Sequence, residues 1–378
     1  MAPRDPSEPG RSSTPLELLF DLVFTVAVSL ASASFHTTAV DGQLGSGLVG
    51  YAMVFFAIWW AWMNFTWFAS AYDCDDTWYR LTTLVQMAGV LILAAGVPDS
   101  MADRNFDLII VGYVVMRVAM VSQWLRAARS DPQRRRAAHI YAGGIAVVQV
   151  GWIGWLAVPD AWALPTFLVF AACELAVPAI AESRQSTPWH PEHIADRYGS
   201  FTLIVLGETI LASTTAIVTA RSEDTHLGTL IVVAVSALAL AGSLWWLYFD
   251  RPQHHLLDRV SMALRWGYGH YFVFAAVATV SVGIEVMLDY DIGNTALSRT
   301  ESSALATVPI AVFVLMFWAL SLRHRHDRML TTTVIVGAIA IGLTALLPHA
   351  LPIAAALTVI VTALATHRAR RADAPPTQ

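Results

Sequence analysis

The sequence predicts an all-α, polytopic integral membrane protein of about twelve spans, and three observations lead there. Apolar residues make up 56% of the 378 and charged ones only 13%, a balance suited to lipid rather than water. The apolar residues fall in runs of about 17 to 24, the length a helix needs to cross a hydrocarbon core roughly 30 Å thick. All 23 basic residues are arginine. With the N-terminus inside, the external loops hold only Arg104, Arg221 and Arg299, Arg117 lies within a span, and every other arginine is cytoplasmic. That asymmetry favours an even number of crossings, both termini in the cytoplasm, and the bacterial cytoplasmic (inner) membrane as the location.

Taken in order, residues 1–14 read as a disordered, Pro- and Ser-rich tail with no cleavable leader. Spans are expected at 16–37, 48–71, 79–97, 106–126, 139–158 and 162–182, then at 198–219, 227–249, 266–288, 304–322, 330–347 and 351–367. The last two are short and joined only by Pro348 to Leu351, so they read either as full spans or as a re-entrant pair. Residues 369–378 read as a second disordered tail.

The two halves look alike. The second span ends WWAWMNFTWFASAYD and the eighth LWWLYFD; the third ends LAAGVPD and the ninth VSVGIE. The fourth runs out into LRAARSDPQRRR and the tenth into LRHRHDRML. Motifs in a shared order predict two parallel six-helix repeats, 15–183 and 184–368, related by an axis along the membrane normal.

Polar residues inside such spans are costly and therefore informative. Glu208 lies about ten residues into the seventh span, near the midplane, where a charge costs ~2.5–3.5 kcal/mol on insertion scales. At ~100° per residue it shares a helical stripe with Arg197, roughly 16 Å away along the axis, and with His193 and Phe201. Glu17 and Asp21 sit at i and i+4 on the first turns of the first span, and the two will not both ionise readily unless an arginine or a cation joins them. The ordinary explanation for Glu17 is capping of a helix N-terminus. Arg117 in the fourth span needs a carboxylate, which Glu174 in the sixth or Glu208 can supply, and for Arg117 and Glu174 a structural ion pair is the favoured reading. Asn64, Gln86 and His270 are further polar groups on spans, each able to bond a neighbouring helix.

The second span exits into Tyr72, Asp73, Cys74, Asp75 and Asp76, followed by Arg80. An Asp-rich helix end such as Asp73, Asp75 and Asp76 can hold magnesium and through it a diphosphate, although a solvated loop paired locally with Arg80 is the more ordinary reading. His190 and His193 have a spacing that suits zinc, but Pro191 places them at a helix start. Cys74 and Cys173 suggest neither a disulfide nor a metal framework. No phosphate loop, nucleophile elbow or basic nucleic-acid patch is present, so the expected partners are the lipid bilayer and a small molecule or ion.

Five stretches resemble the bacterial low temperature requirement protein A family of polytopic membrane proteins. They are PLELLFDLVFTVAVS (Pro15 to Ser29), WWAWMNFTWFASAYDCDD (Trp59 to Asp76), YRLTTLVQMAGVLILAAGVP (Tyr79 to Pro98), EHIADRYGSFTLIVLGETI (Glu192 to Ile210) and GYGHYFVFAAVATVSVGIE (Gly267 to Glu285). Beyond Thr300 the likeness is one of hydropathy only. The resemblance implies a membrane protein and no particular reaction. Its family-like positions are Glu17, Asp21, Asn64, Tyr72, Asp73, Asp76, Arg80, Gln86, His193, Arg197, Glu208 and His270; Asp196 stands where the family often has Glu.

Three functions fit these residues. The leading expectation is a proton-coupled transporter or channel-like protein, with Glu208 and Asp21 carrying protons, Arg197 tuning one of them, and Glu17 and His193 beside it. Asn64, Tyr72, Arg80, Gln86 and His270 would line its polar cavity. The second is a magnesium-dependent membrane enzyme acting on isoprenoid or lipid diphosphates, with Asp73, Asp75 and Asp76 on the metal and Arg80 and Arg197 on phosphate. The third is a non-catalytic sensor or assembly factor whose buried polar groups specify helix packing.

Overall fold

The computed structural model of the chain describes residues 1, 3–222 and 227–373. Among the described residues are thirteen α-helices and no strand. They are α1 (Pro15–Val40), α2 (Leu44–Tyr72), α3 (Thr77–Ala95), α4 (Val97–Ala102), α5 (Asp107–Ser130), α6 (Arg135–Trp155) and α7 (Asp160–Arg184), followed by α8 (Pro191–Ser222), α9 (Leu227–Phe249), α10 (Val260–Asp291), α11 (Arg299–Phe317), α12 (Arg328–Leu343) and α13 (Ala350–Asp373). Eleven of the described helices are long and apolar enough to cross a membrane. Both members of the final pair are among them, which favours two full spans over a re-entrant hairpin. The seventh expected span falls on α8, which is 32 residues long and carries Glu192, Asp196, Arg197 and Glu208. The side chain of Arg221 and the loop after it lie outside the described residues. The protein is therefore an all-α polytopic membrane protein.

Residues at both expected tails make contacts that composition does not signal. The N-terminal segment is laid down on the end of α2: Arg4 N–H donates to Ala71 O at 3.0 Å, and the Arg11 guanidinium donates to Ser70 O at 2.5 Å and Ala69 O at 2.9 Å. The last carbonyls of a helix lack intrahelical donors, and a tail arginine can satisfy them. Farther on, Gly10 N–H and Ser13 N–H donate to Glu192 and Asp196 of α8. At the other end α13 continues past the expected boundary to Asp373. Arginines in its last turn complement the negative end of the helix dipole, and Arg370 bonds Asp250. Residues 374–378 of the expected C-terminal tail lie outside the described residues.

The chain forms two compact units. The first comprises Met1–Ala31, Gly50–Ser200 and His254–Leu264; the second comprises Ser32–Val49, Phe201–Gln253 and Arg265–Gln378. These bounds follow packing and differ from the expected halves 15–183 and 184–368.

In the first unit α3 and α5 approach through glycine. A Cβ on Gly89 would stand 2.7 Å from Met116 Cγ, and one on Gly112 would stand 2.6 Å from Leu93 N. Small residues at a crossing let backbones meet closely, the usual means of helix association in lipid. Arg117 of α5 finds Glu174 of α7 at 3.2 Å, one of its two expected partners, with both side chains buried. Trp60 and Trp152 donate their indole N–H groups to the same carboxylate at 2.7 and 3.2 Å, so the buried charge is fully engaged.

The second unit uses the same devices. Gly283 of α10 packs on Ala306 of α11, and Gly337 of α12 on Val361 of α13. Helix α11 opens with a capping box, Ser298 and Glu301 exchanging side-chain and backbone bonds.

Candidate functional site

The first turns of α1 and α8 set two pairs of polar side chains against each other in the first unit. On α1, Glu17 and Asp21 are one turn apart; on α8, His193 and Arg197 repeat that spacing, so each pair projects from one helical face. All four side chains are 0% exposed. Arg197 Nη2 donates to Asp21 Oδ1 at 2.5 Å, and its Nη1 lies 3.2 Å from Glu17 Oε1. His193 Nε2 stands 3.0 Å from Glu17 Oε1 and 3.2 Å from Oε2. One guanidinium thus bridges two carboxylates, and an imidazole flanks one of them.

Local sequence explains how each group is held. Thr14 and Glu17 cap α1 reciprocally: Thr14 N–H donates to Glu17 Oε2 at 2.8 Å, and Glu17 N–H donates to Thr14 Oγ1 at 3.3 Å. The ordinary reading of Glu17 as a capping residue therefore holds, and the same carboxylate also faces α8. Trp62 of α2 donates its indole N–H to Asp21 Oδ1 at 2.6 Å. The Arg197 guanidinium carbon lies 5.7 Å from the Phe65 ring and 6.0 Å from that of Trp62, within reach of cation–π attraction. Phe20 stacks on Phe65 at 3.9 Å, which closes the aromatic wall. Asp21 Oδ2, Arg197 Nε, His193 Nδ1 and Tyr79 OH are buried without a hydrogen bond, leaving capacity to hold a proton or a small polar guest.

The other expected residues of this unit are dispersed. Asn64 donates to Trp60 O on its own helix at 2.7 Å, so it bridges nothing. Tyr72 donates to Asp131 at 3.1 Å. Gln86 is buried on α3 with its Nε2 unpartnered.

The three aspartates after α2 do not converge. Asp75 takes a two-pronged bond from Arg80, 2.7 Å on each arm, as the ordinary reading expected. Asp76 accepts from Arg126 and caps α3 through Tyr79 N–H at 2.9 Å. Asp73 accepts from Asp75 N–H at 3.1 Å. The bond from Arg126 holds the Asp76 carboxyl well below the usual carboxylate range. Arg80 lowers Asp75 in the same way, and burial pushes Asp73 up. Among the described residues no group of three or more His, Cys, Asp or Glu is placed to hold a metal. Carboxylates already committed to arginine and to a helix cap do not fit a shared magnesium.

In the second unit Glu208 is half-buried on α8, and it interacts electrostatically with Glu285 of α10, as do His36 and Asp289. His36 Nε2 meets Asp289 Oδ2 at 2.6 Å. His270 of α10 bonds Tyr248 OH at 3.0 Å and Trp266 O at 2.7 Å, a helix-to-helix bond of the ordinary kind.

Sequence reasoning missed Trp62, Thr14 and Arg126 as partners of these groups. Thr14 three residues before Glu17 is a capping signature; the others carry no local signal.

The family profile of the bacterial low temperature requirement A protein (LtrA) matches residues 12–366. The chain belongs to that family. The match includes Glu17, Asp21, His193 and Arg197, and it extends beyond Thr300, where the motifs alone were silent. A similar protein is an uncharacterized protein of Rhizobium meliloti (strain 1021), 27% identical over 298 residues that cover 74% of this chain and 70% of the relative.

Proposed function

We propose that this member of the family is a proton-coupled transporter or channel-like protein of the bacterial cytoplasmic membrane, with both termini in the cytoplasm. Its proton-binding site in this reading is the cluster of Glu17, Asp21, His193 and Arg197. The single observation that carries it is the sharing of one arginine by two fully buried carboxylates. With both carboxylates ionised, Arg197 leaves one negative charge uncompensated, and one proton restores neutrality. That proton has three places to sit: Asp21, Glu17, or the imidazole of His193. A buried cluster one proton short of neutrality, with more than one group able to take that proton, suits a proton carrier.

Glu208 is a second carrier in this proposal, being half-buried rather than sealed. The orientation is supported by the arginines, which gather at the helix ends assigned to the cytoplasm. The test is proton flux into proteoliposomes loaded with a pH-sensitive dye under an imposed pH gradient. Wild-type protein should acidify the lumen, and Asp21→Asn and Glu208→Gln should abolish that flux while staying folded and inserted. Undiminished flux in both variants, or none above empty vesicles with wild type, overturns the proposal.

A further inference from the structure

The second unit contains a cavity of about 340 Å³ where α9, α11 and α13 begin and α10 ends. That volume lies within the ~300–1,000 Å³ of small-molecule sites. Its floor is apolar, with Val233, Ile284 and Leu351 all buried. Its mouth carries one charge of each sign, Arg299 and Asp291, both solvent-exposed. Arg299 Nη2 reaches Leu346 O at 3.5 Å, which leans its side chain toward the link between α12 and α13. His349 stands on that link and also lines the cavity.

Two further features point to a ligand rather than to a packing defect. Ser303 is only 3% exposed and lines the wall, yet its hydroxyl makes no hydrogen bond among the described residues. A hydroxyl on an otherwise buried wall with its hydrogen-bonding capacity unused is available to a bound molecule. The dipoles are also sorted. Helices α9, α11 and α13 present their positive N-terminal ends here, while α10 presents its negative C-terminal end together with Asp291. An anionic group is therefore favoured beside Arg299 and a cationic one beside Asp291, with a hydrocarbon tail pointing to the floor.

We infer that this cavity binds a small amphipathic zwitterion of the α-amino-acid class with an apolar side chain. The carboxylate pairs with Arg299 and accepts from Ser303, the ammonium pairs with Asp291, and the side chain fills the space between Val233, Ile284 and Leu351. On the orientation proposed above, this end of the helices faces outward. The site is read from the second unit alone and shares no residue with the proton cluster.

The experiment is calorimetric titration of the full-length, detergent-purified protein with three probes of one shape: L-leucine, 4-methylpentanoate and 3-methylbutylamine. L-leucine should bind, and each singly charged analogue should bind at least about tenfold more weakly, since a site built for two charges leaves one group unpaired. Arg299→Gln and Asp291→Asn should each weaken L-leucine about tenfold without lowering the melting temperature of the ligand-free protein. Should either variant fail to purify, Ser303→Ala gives the same test, with a weakening of several-fold. Absence of L-leucine binding at tens of millimolar, equal binding of a singly charged analogue, or full affinity in the variants overturns the inference. Because binding is measured without a membrane gradient, its failure is distinct from a failure of proton flux.

Discussion

Arg197 Nη2 lies 2.5 Å from Asp21 Oδ1 with both side chains wholly buried. A charge removed from water is costly, and its partner recovers that cost only while both are present. Asp21→Leu and Arg197→Met should therefore each destabilise the protein by about 3–5 kcal/mol, and the double variant should cost far less than their sum. Denaturation of detergent-solubilised protein, read by circular dichroism, closes this double-mutant cycle. Additive losses would show that the two side chains do not interact.

The indole of Trp62 donates to the same Asp21 oxygen that Arg197 contacts. Trp62→Phe keeps an aromatic ring against Tyr198, whose centroid is 4.8 Å away, and deletes the donor together with one ring of the indole. The expected cost is at least the ~1–3 kcal/mol of a buried hydrogen bond lost, plus that of the small cavity left behind. If the proton site is Asp21, the pH at half-maximal flux should also move in this variant, whereas a purely structural tryptophan would alter stability alone.

The loop after α2 gives two opposite pH dependences. The folded state holds Asp76 below its ordinary value through Arg126. Its contribution is therefore complete above the unfolded value, near 4, and is lost as pH falls through the lower folded value. Asp76→Asn should lower stability by a constant amount from pH 5 to 8, because asparagine keeps the cap on α3 and removes only the charge that Arg126 uses. Burial raises Asp73, so its ionised form opposes folding above the folded value, and that opposition fades as pH falls toward the unfolded one. Asp73→Asn should accordingly stabilise the protein at neutral pH, its Oδ1 still accepting from Asp75 N–H. Melting temperatures of both variants between pH 5 and 8 decide the matter; a loss in Asp73→Asn would reverse the sign argued here.

Legibility in the sequence follows the range of the interaction. Hydropathy and length placed every long helix, because a span is a local property of about 20 residues. The i, i+4 spacing put Glu17 with Asp21, and the cost of a lone buried arginine pointed Arg117 to Glu174 or Glu208, between which the structure chooses Glu174. What periodicity cannot say is which face meets which. The contact between Asp21 and Arg197 joins residues 176 apart, and that between Arg126 and Asp76 joins residues 50 apart. Trp62 was hidden for another reason: in a stretch already rich in tryptophan, nothing marks one indole as bonded to a carboxylate. The contacts of the N-terminal segment were not legible because composition weighs Pro and Ser against order, while Arg11 finds its acceptors at the end of a helix it precedes by some thirty residues or more.

The crossing of α3 and α5 rests on Gly89 and Gly112, where an added Cβ would fall 2.5–2.8 Å from backbone atoms of the facing helix. Backbone cannot rotate aside as a flexible side chain can, so the helices must separate. Separation would also disturb the bond of Gln123 to Thr82, which links α5 to α3. Gly112→Val should cost at least the ~1–3 kcal/mol typical of overpacking, and Gly143→Val, at a position on α6 with nothing within 4 Å of its Cβ, should be neutral or gain a few tenths of a kcal/mol (~0.3), valine being the better helix former. Comparing the melting temperatures of the two variants separates close packing from any general intolerance of valine in these helices; equal losses would remove the glycine contact as the reason α3 and α5 meet.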